Sequence, residues 1–239
     1  MPELTTSFGP TLPEGKLLEG VVTTLNSDSS PHVAPMGPIV DENFERLLLR
    51  PFRTSVTYQN LKRTRQGVLH VTDDVELIAR AAVGRLETLP PMRPAEAIQG
   101  VILTDTCRWY AFQVESLDDR EERTAIAARV VDRGSLRDFF GFNRAKHAVI
   151  EAAILATRIE LLDAKLILGE FERLAAPVAK TGGIEERRAF EFLRQYVLEN
   201  MPAKPSPLER GKGEGELPAS PHPDPLPKAE GGIMEIEQQ

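Results

Sequence analysis

The hydrophobic pattern of this chain changes period once, at Arg133–Gly134. Downstream of that point Ala145, Ala148, Val149, Ala152 and Ile159 fall on an i, i+3, i+4, i+7 stripe, the signature of an amphipathic helix. Upstream the apolar residues come in short, β-branched runs bounded by Gly, Pro, Asp and Asn, which is strand patterning. A chain built this way puts its strands first and its helices second. Its class is α+β rather than an alternating parallel α/β fold.

Within the first part, LLEGVVTTLN (Leu17–Asn26) reads as a strand ending in the Asp-Ser-Ser-Pro turn. HVAPMGPIV (His32–Val40) reads as a second strand, which its prolines confine to an edge, a bulge or a barrel rim. Asp41–Asn43 turn the chain into FERLLLRPF, and Tyr58 and Leu61 are spaced for one short helix. GVLHVT (Gly67–Thr72), QGVILTDT, RWYAFQVES and ERTAIAARVVD are further strands, with PPMRP as a rigid connection. DVELIARAAVG is a short helix capped by Asp73 or Asp74 and stopped at Gly84. Many short strands with tight turns predict a small closed or partly closed barrel. The second part predicts three helices: one from FNRAKH onward, one from a cap at Asp163 through Ala179, and one over GIEERRAFEFLRQYVLEN. The expected domains are residues 1–135 for the barrel, 136–200 for a three-helix unit and 201–239 for a disordered tail. That tail holds 8 of the chain's 19 prolines and no Val, Phe, Tyr or Trp, too little apolar surface to offset the entropy of ordering it. Its two Pro/Gly-rich pieces read as inserted low-complexity text rather than a polyproline ligand.

Composition excludes several functions. No apolar run reaches the roughly 18–20 residues of a membrane-spanning helix, and the polar, proline-broken start lacks the pattern of a signal peptide. Cys107 is the single cysteine, so neither an internal disulfide nor a multi-cysteine zinc site is available, and a cytoplasmic setting is expected. The four histidines are scattered, and no metal site is expected. A net charge of −7 lacks the basic footprint of a nucleic-acid binder. No phosphate loop, dinucleotide glycine pattern or serine elbow occurs.

The stretch Arg50–Arg65, RPFRTSVTYQNLKRTR, stands apart: five Arg/Lys, four Thr/Ser, an Asn and two aromatics, with no acidic residue. Guanidinium forks and hydroxyls at this density suit a bound phosphate; a solvated helix face with a basic turn is the alternative. APMGP (Ala34–Pro38) places glycine and small residues inside a strand, where a ligand approaches a backbone or a proline blunts an edge. FNRAKH (Phe142–His147) offers Asn143 as a helix cap, with Arg144 and Lys146 in the first turn opposing the helix dipole. An anionic ligand offsets that opposition; so does a salt bridge between the two halves of the chain.

These segments together, EGVVTTLN, HVAPMGP, LLLRPFRTSVTYQNL, GVLHVTDD, WYAFQV and FNRAKHAVIEAAILATR with EFERL and KTGG, resemble a little-characterised archaeal and bacterial family of FMN-binding split-barrel proteins. The resemblance spans about residues 12–200. It implies a six-stranded antiparallel split barrel related to flavin reductases, a C-terminal helical unit, and FMN held near a homodimer interface. Carried onto this chain, Arg50, Pro51, Phe52, Thr54, Ser55, Thr57 and Asn60 hold the FMN phosphate and ribityl chain, and Ala34, Met36 and Gly37 line the isoalloxazine. Asn143 and Arg144 join the cofactor-binding set. The implied function is an FMN-dependent oxidoreductase passing electrons to a small acceptor, with a hint of methanopterin-type C1 metabolism. The alternative is a non-catalytic FMN-binding or assembly protein.

Overall fold

The structure, a computed structural model, describes residues 15–201. The expected tail and the first 14 residues lie outside the described residues. Ten strands form: β1 (Lys16–Leu17), β2 (Gly20–Leu25), β3 (Pro31–Met36), β4 (Ile39–Val40), β5 (Arg46–Leu49), β6 (Gln66–Val71), β7 (Met92–Pro94), β8 (Val101–Leu103), β9 (Arg108–Asp118) and β10 (Ala125–Ser135). Five helices accompany them: α1 (Val56–Thr64), α2 (Val75–Ala82), α3 (Arg144–Ala156), α4 (Ala164–Thr181) and α5 (Ile184–Asn200).

Eight strands make one antiparallel sheet in the order β1-β4-β5-β10-β9-β6-β2-β3, and β7 pairs with β8 in a separate hairpin. The resemblance implies six strands; the count of eight is a correction with a local cause. Pro35, Gly37 and Pro38 interrupt the His32–Val40 run, and a proline offers no N–H to a ladder. The run splits into β3, which pairs with β2, and β4, which pairs with β5 and β1. PPMRP is likewise more than a connection, because Met92–Pro94 pairs with Val101–Leu103.

The split also dictates the shape. Met36 ends β3 on one edge of the sheet, and Ile39 begins β4 near the other edge. Three Cα steps reach at most about 10 Å, so the sheet must curl until its edges approach each other. Register shifts in the β9–β10 pair, at Ala127/Ala128 and Val130/Asp132, supply local bends. At Gly134 a side chain would sit 2.6 Å from Trp109 Nε1, so only glycine lets these two strands close. The result is a curled antiparallel half-barrel.

Alternation decides what fills it. Along β2, Val22 points into a cluster with Leu47, Leu49, Tyr58, Leu69, Tyr110 and Phe112 inside the curl. Its neighbour Val21 points outward, onto Leu77 and Ile78 of α2. Both faces are covered, which is why β2 is buried almost end to end. A second large core joins α3, α4 and α5 through alanine-lined contacts that also take in Val75 and Ala79 of α2. Helix α2 thus presents one face to the sheet and the other to the helices.

Candidate functional site

The Arg50–Arg65 stretch folds as a strap followed by α1. The Arg50 carbonyl accepts from Arg123 Nε at 3.2 Å, and the Pro51 carbonyl accepts from Thr124 N at 3.0 Å and Thr124 Oγ1 at 2.8 Å. Arg53 N donates to Glu122 O at 2.9 Å, and the Arg123 guanidinium lies over the Phe52 ring. These contacts bind the strap to the tip of the β9–β10 hairpin. They leave the Arg50, Phe52, Arg53 and Thr54 side chains exposed.

Ser55 caps α1, its Oγ accepting from Tyr58 N at 3.2 Å. A helix leaves its first four N–H groups without partners inside it. Here Tyr58 N is taken by the cap and Gln59 N by the Ser55 carbonyl. The amides of Val56 and Thr57 have no acceptor among the described residues. No acidic residue occupies this first turn. Two open amides follow the Thr54 hydroxyl at the positive end of a helix dipole, in a strap whose Arg50 and Arg53 side chains are exposed, Arg53 Nη1 donating to the Asp119 carbonyl at 3.4 Å; donors of this kind fit an anion with several acceptor oxygens.

The rest of the basic cluster is spent inside the protein. Lys62 pairs with Asp119 at 2.8 Å and donates to Tyr58 Oη at 3.0 Å, while Tyr58 Oη donates to Asp119 at 2.6 Å. The Lys62 bond, followed by that of Tyr58, holds the Asp119 carboxyl below its ordinary range, and Asp119 holds the Lys62 ammonium above its own. Arg63 donates to the Leu25 carbonyl, and Arg65 to those of Val114 and Glu115. Asn60 is buried; its Nδ2 donates to Thr24 Oγ1 at 3.0 Å and Asn26 Oδ1 at 2.9 Å, tying α1 to the β2–β3 turn. Thr57 is buried too. A cavity of about 580 Å³ opens beside this network, lined by Asn26, Asp28, Gln59, Asn60, Lys62 and Arg63 among others.

Ala34, Met36 and Gly37 lie along and just beyond β3, the outermost strand beside β2, with Ala34 opposite Val22 and Met36 opposite Gly20. Because β3 pairs on one side only, its outer backbone groups face away from the ladder. Met36 leans onto the cluster inside the curl. Gly37 is packed close to Leu17 and Glu19. Partial burial, then the nearby Glu151 carboxylate, push the Glu19 carboxyl upward.

Asn143 and Arg144 stand elsewhere. The Asn143 side chain caps α3, accepting from Ala145 N at 2.8 Å and Lys146 N at 3.2 Å, and its Nδ2 donates to the Thr181 carbonyl at 3.1 Å. Lys146 pairs with Glu186 at 2.8 Å and donates to the Asp73 carbonyl at 2.7 Å. Asp73 follows β6 at the end where Val71 pairs with Arg108, while the strap sits at the hairpin tip beyond Asp118. The length of β9, about 30 Å of extended chain, separates the two places. The basic first turn of α3 is balanced by an ion pair within the chain, and Asn143 is committed to capping.

Near the start of α3, Arg137 pairs with Asp73 at 2.7 Å and Asp105 at 3.2 Å and reaches Cys107 Sγ at 3.3 Å. Cys107 is buried, and burial followed by the Asp73 charge pushes its thiol up, which keeps it protonated and packed. No group of three or more metal-ligating side chains occurs among the described residues. None of their helices is long and apolar enough to cross a membrane. Asp119, Glu122, Arg123 and Thr124 carry no sequence signal that ties them to the strap; they join it only across about 60–70 residues of chain.

A curled antiparallel half-barrel followed by packed helices, an α+β arrangement, defines the class. A family model described as the N-terminal domain of a protein of unknown function, DUF447, matches residues 18–137, and a second DUF447 model matches residues 143–195. The chain belongs to the DUF447 family. No curated protein matches it. Among solved structures, an FMN-bound DUF447 protein from Methanosarcina mazei is 23% identical, with 77% of this chain and 96% of that one covered at a TM-score of 0.64. The 2-nitrobenzoate 2-nitroreductase of Pseudomonas fluorescens is 16% identical, with 52% of this chain and 68% of that one covered at a TM-score of 0.42.

Proposed function

We propose that this chain binds FMN and acts as a flavoprotein oxidoreductase toward a small acceptor. One observation carries the reading: the open amides of Val56 and Thr57, beside Thr54 and Arg50, form an acid-free cradle at the start of α1. The FMN-bound state of the Methanosarcina mazei relative supports the choice of anion. In this reading the strap and the first turn of α1 hold the phosphate. Asn60, beside the β2–β3 turn, would support the ribityl side, and Ala34, Met36 and Gly37 would line the rings. Ser55 acts by capping the helix whose amides do the binding, and Asn60 by fixing α1 to β2. Buried Thr57 contributes its backbone N–H. Asn143 and Arg144 drop out of the phosphate-holding set.

When bound, FMN supplies hydride and electron transfer, and the protein supplies orientation and the hydrogen bonds that tune it. No acid or base is required of the chain in that half of the chemistry. The test begins with the colour of the freshly purified protein and the mass of any compound it releases on denaturation. FMN is expected. The loaded protein should then lose its visible flavin absorption on adding NADH or NADPH. Bound flavin that neither nicotinamide bleaches would favour the non-catalytic FMN-binding alternative. A preparation that is colourless and stays so with excess FMN overturns both readings.

A further inference from the structure

The turn between β4 and β5 holds a phenylalanine where glycine would sit without strain. Phe44 has a φ of +55°, in the left-handed region that is unfavourable for any side chain with a Cβ. Ser29 and Arg65, the other described non-glycine residues with positive φ, sit in a β-turn and at the end of α1, where that conformation closes the chain. Asp41 Oδ1 pins the Phe44 turn by accepting from Glu45 N at 2.7 Å and Arg46 N at 3.1 Å. The ring is used in a stack. Phe44 lies on Tyr110 at 4.8 Å with 14° between the planes, and the Arg108 guanidinium is held over the Phe44 ring at 5.5 Å.

This stack stands at the end of the curl where Met36 sits. Met36 pairs with Gly20; Gly20 is next to the Val21–His70 pair and so level with Val71; Val71 pairs with Arg108. Met36, Phe44, Val71 and Tyr110 all pack on the core inside the curl. Gly20 admits no side chain, since a Cβ there would meet the His70 carbonyl oxygen at 2.5 Å. One cross-strand row therefore runs from Met36 past a bare glycine to Arg108, and Phe44 reaches it from the β4–β5 turn. Arg108 is exposed, and among the described residues it has no ion-pair partner. A cavity of about 440 Å³ beside Phe44 sets Glu45 and Asp132 against Arg129 and Arg133, two acids to two bases, so Arg108 adds a positive charge that nothing there balances. A guanidinium held on an aromatic ring keeps its N–H edge for a partner, and that edge matches the paired oxygens of a carboxylate.

We propose that Arg108 and Phe44 form the acceptor site, Arg108 taking the charged group of a flat aromatic anion whose ring lies along the row toward Met36. The proposal rests on the proposed function, since the acceptor placed there meets the rings that Ala34, Met36 and Gly37 would line. The acceptor gains a hydride from the flavin, two electrons with one proton, and a second proton from water; Arg108 holds the anion and transfers nothing. Phe44 is a positioning residue for Arg108. The test is calorimetric titration of the FMN-loaded, full-length protein with 2-naphthoate and with neutral 2-naphthamide, which share a ring and differ in charge. Naphthoate should bind at least tenfold more tightly and should shift the visible band of the bound flavin. Arg108→Gln should abolish the preference and, because the side chain is exposed and unpaired, leave the melting temperature alone. Phe44→Gly, which suits the turn, should keep the far-ultraviolet circular dichroism and weaken naphthoate at least fivefold. Equal affinity for the two probes, a preference that survives Arg108→Gln, indifference to Phe44→Gly, or binding that leaves the flavin band untouched overturns the inference while FMN binding stands. A chain that takes up no FMN overturns the reading beneath it, and the acceptor site with it.

Discussion

His70 shows how one side chain locks two strands. It is fully buried on β6, its Nδ1–H donating to the Val21 carbonyl at 3.3 Å and its Nε2 accepting from Leu103 N at 3.0 Å. Since Leu103 offers a proton, the ring must be neutral to receive it. Burial pulls the pKa down from 6.5 to about 4. A histidine that protonates less readily folded than unfolded contributes its stability above the unfolded pKa. That contribution is lost as pH falls from about 6.5 toward 4. The loss is on the order of 3 kcal/mol. Urea unfolding at pH 7 and pH 4 should therefore show the wild type losing about that much more than His70→Gln; equal losses would refute the assignment. Thr54 is the complementary case, exposed and outside the core. On the proposed function, Thr54→Ala weakens FMN binding by about 1–3 kcal/mol, the range for a hydrogen bond to a charged acceptor. It leaves thermal stability alone. Unaltered affinity by flavin fluorescence would move the phosphate elsewhere.

Helices α1 and α3 both lack an acidic residue in the first turn, and their starts are satisfied differently. At α3 the Asn143 side chain, the Thr181 hydroxyl and the Lys146–Glu186 pair satisfy the first turn from within. Asn143→Ala should accordingly cost about 1–2 kcal/mol of stability, as for a lost cap, and should not change FMN affinity. A selective loss of FMN would instead return Asn143 to the cofactor. At α1 the cap satisfies part of the turn and the strap keeps acidic side chains out of it. Asp119 stands close by, yet Lys62 and Tyr58 occupy it. On the proposed function, pairing that neighbour with Lys62 and Tyr58 lets the hairpin tip support the strap without repelling the phosphate.

At the scale of the molecule, α2 joins what the sequence separates. Leu77 and Ile78 pack on Val21 and Val33 of the sheet, while Val75 and Ala79 pack among α3, α4 and α5. Lys146, Arg137 and Arg188 add polar ties across the same line, to Asp73, Asp105 and Glu76. Residues on both sides of the expected boundary near residue 135 therefore pack against the same helix, α2. Thermal unfolding followed by near-ultraviolet and far-ultraviolet circular dichroism should give one coincident transition for sheet and helices. Ala79→Asp, which puts an unpaired charge into the helical core, should lower both signals together. Two separated transitions would show that α2 does not couple the halves.

Periodicity and cap residues in the chain were enough to specify the α+β class and the helix caps at Asn143 and Asp163, with Asp74 one of two candidates for α2; the Ser55 cap of α1 came only from the structure. Each of the legible caps depends on residues within one or two turns of each other. The richness of Arg50–Arg65 in donors was equally visible. Which donors stay open was not, because Lys62, Arg63, Arg65 and Asn60 are claimed by Asp119, Leu25, Val114 and Thr24, partners brought near only by strand pairing. The eight-strand count, the curl forced by the Met36–Ile39 link and the double allegiance of α2 are likewise tertiary decisions. Local pattern says which face of an element is apolar; only packing says which neighbour covers it and which polar groups remain for a ligand.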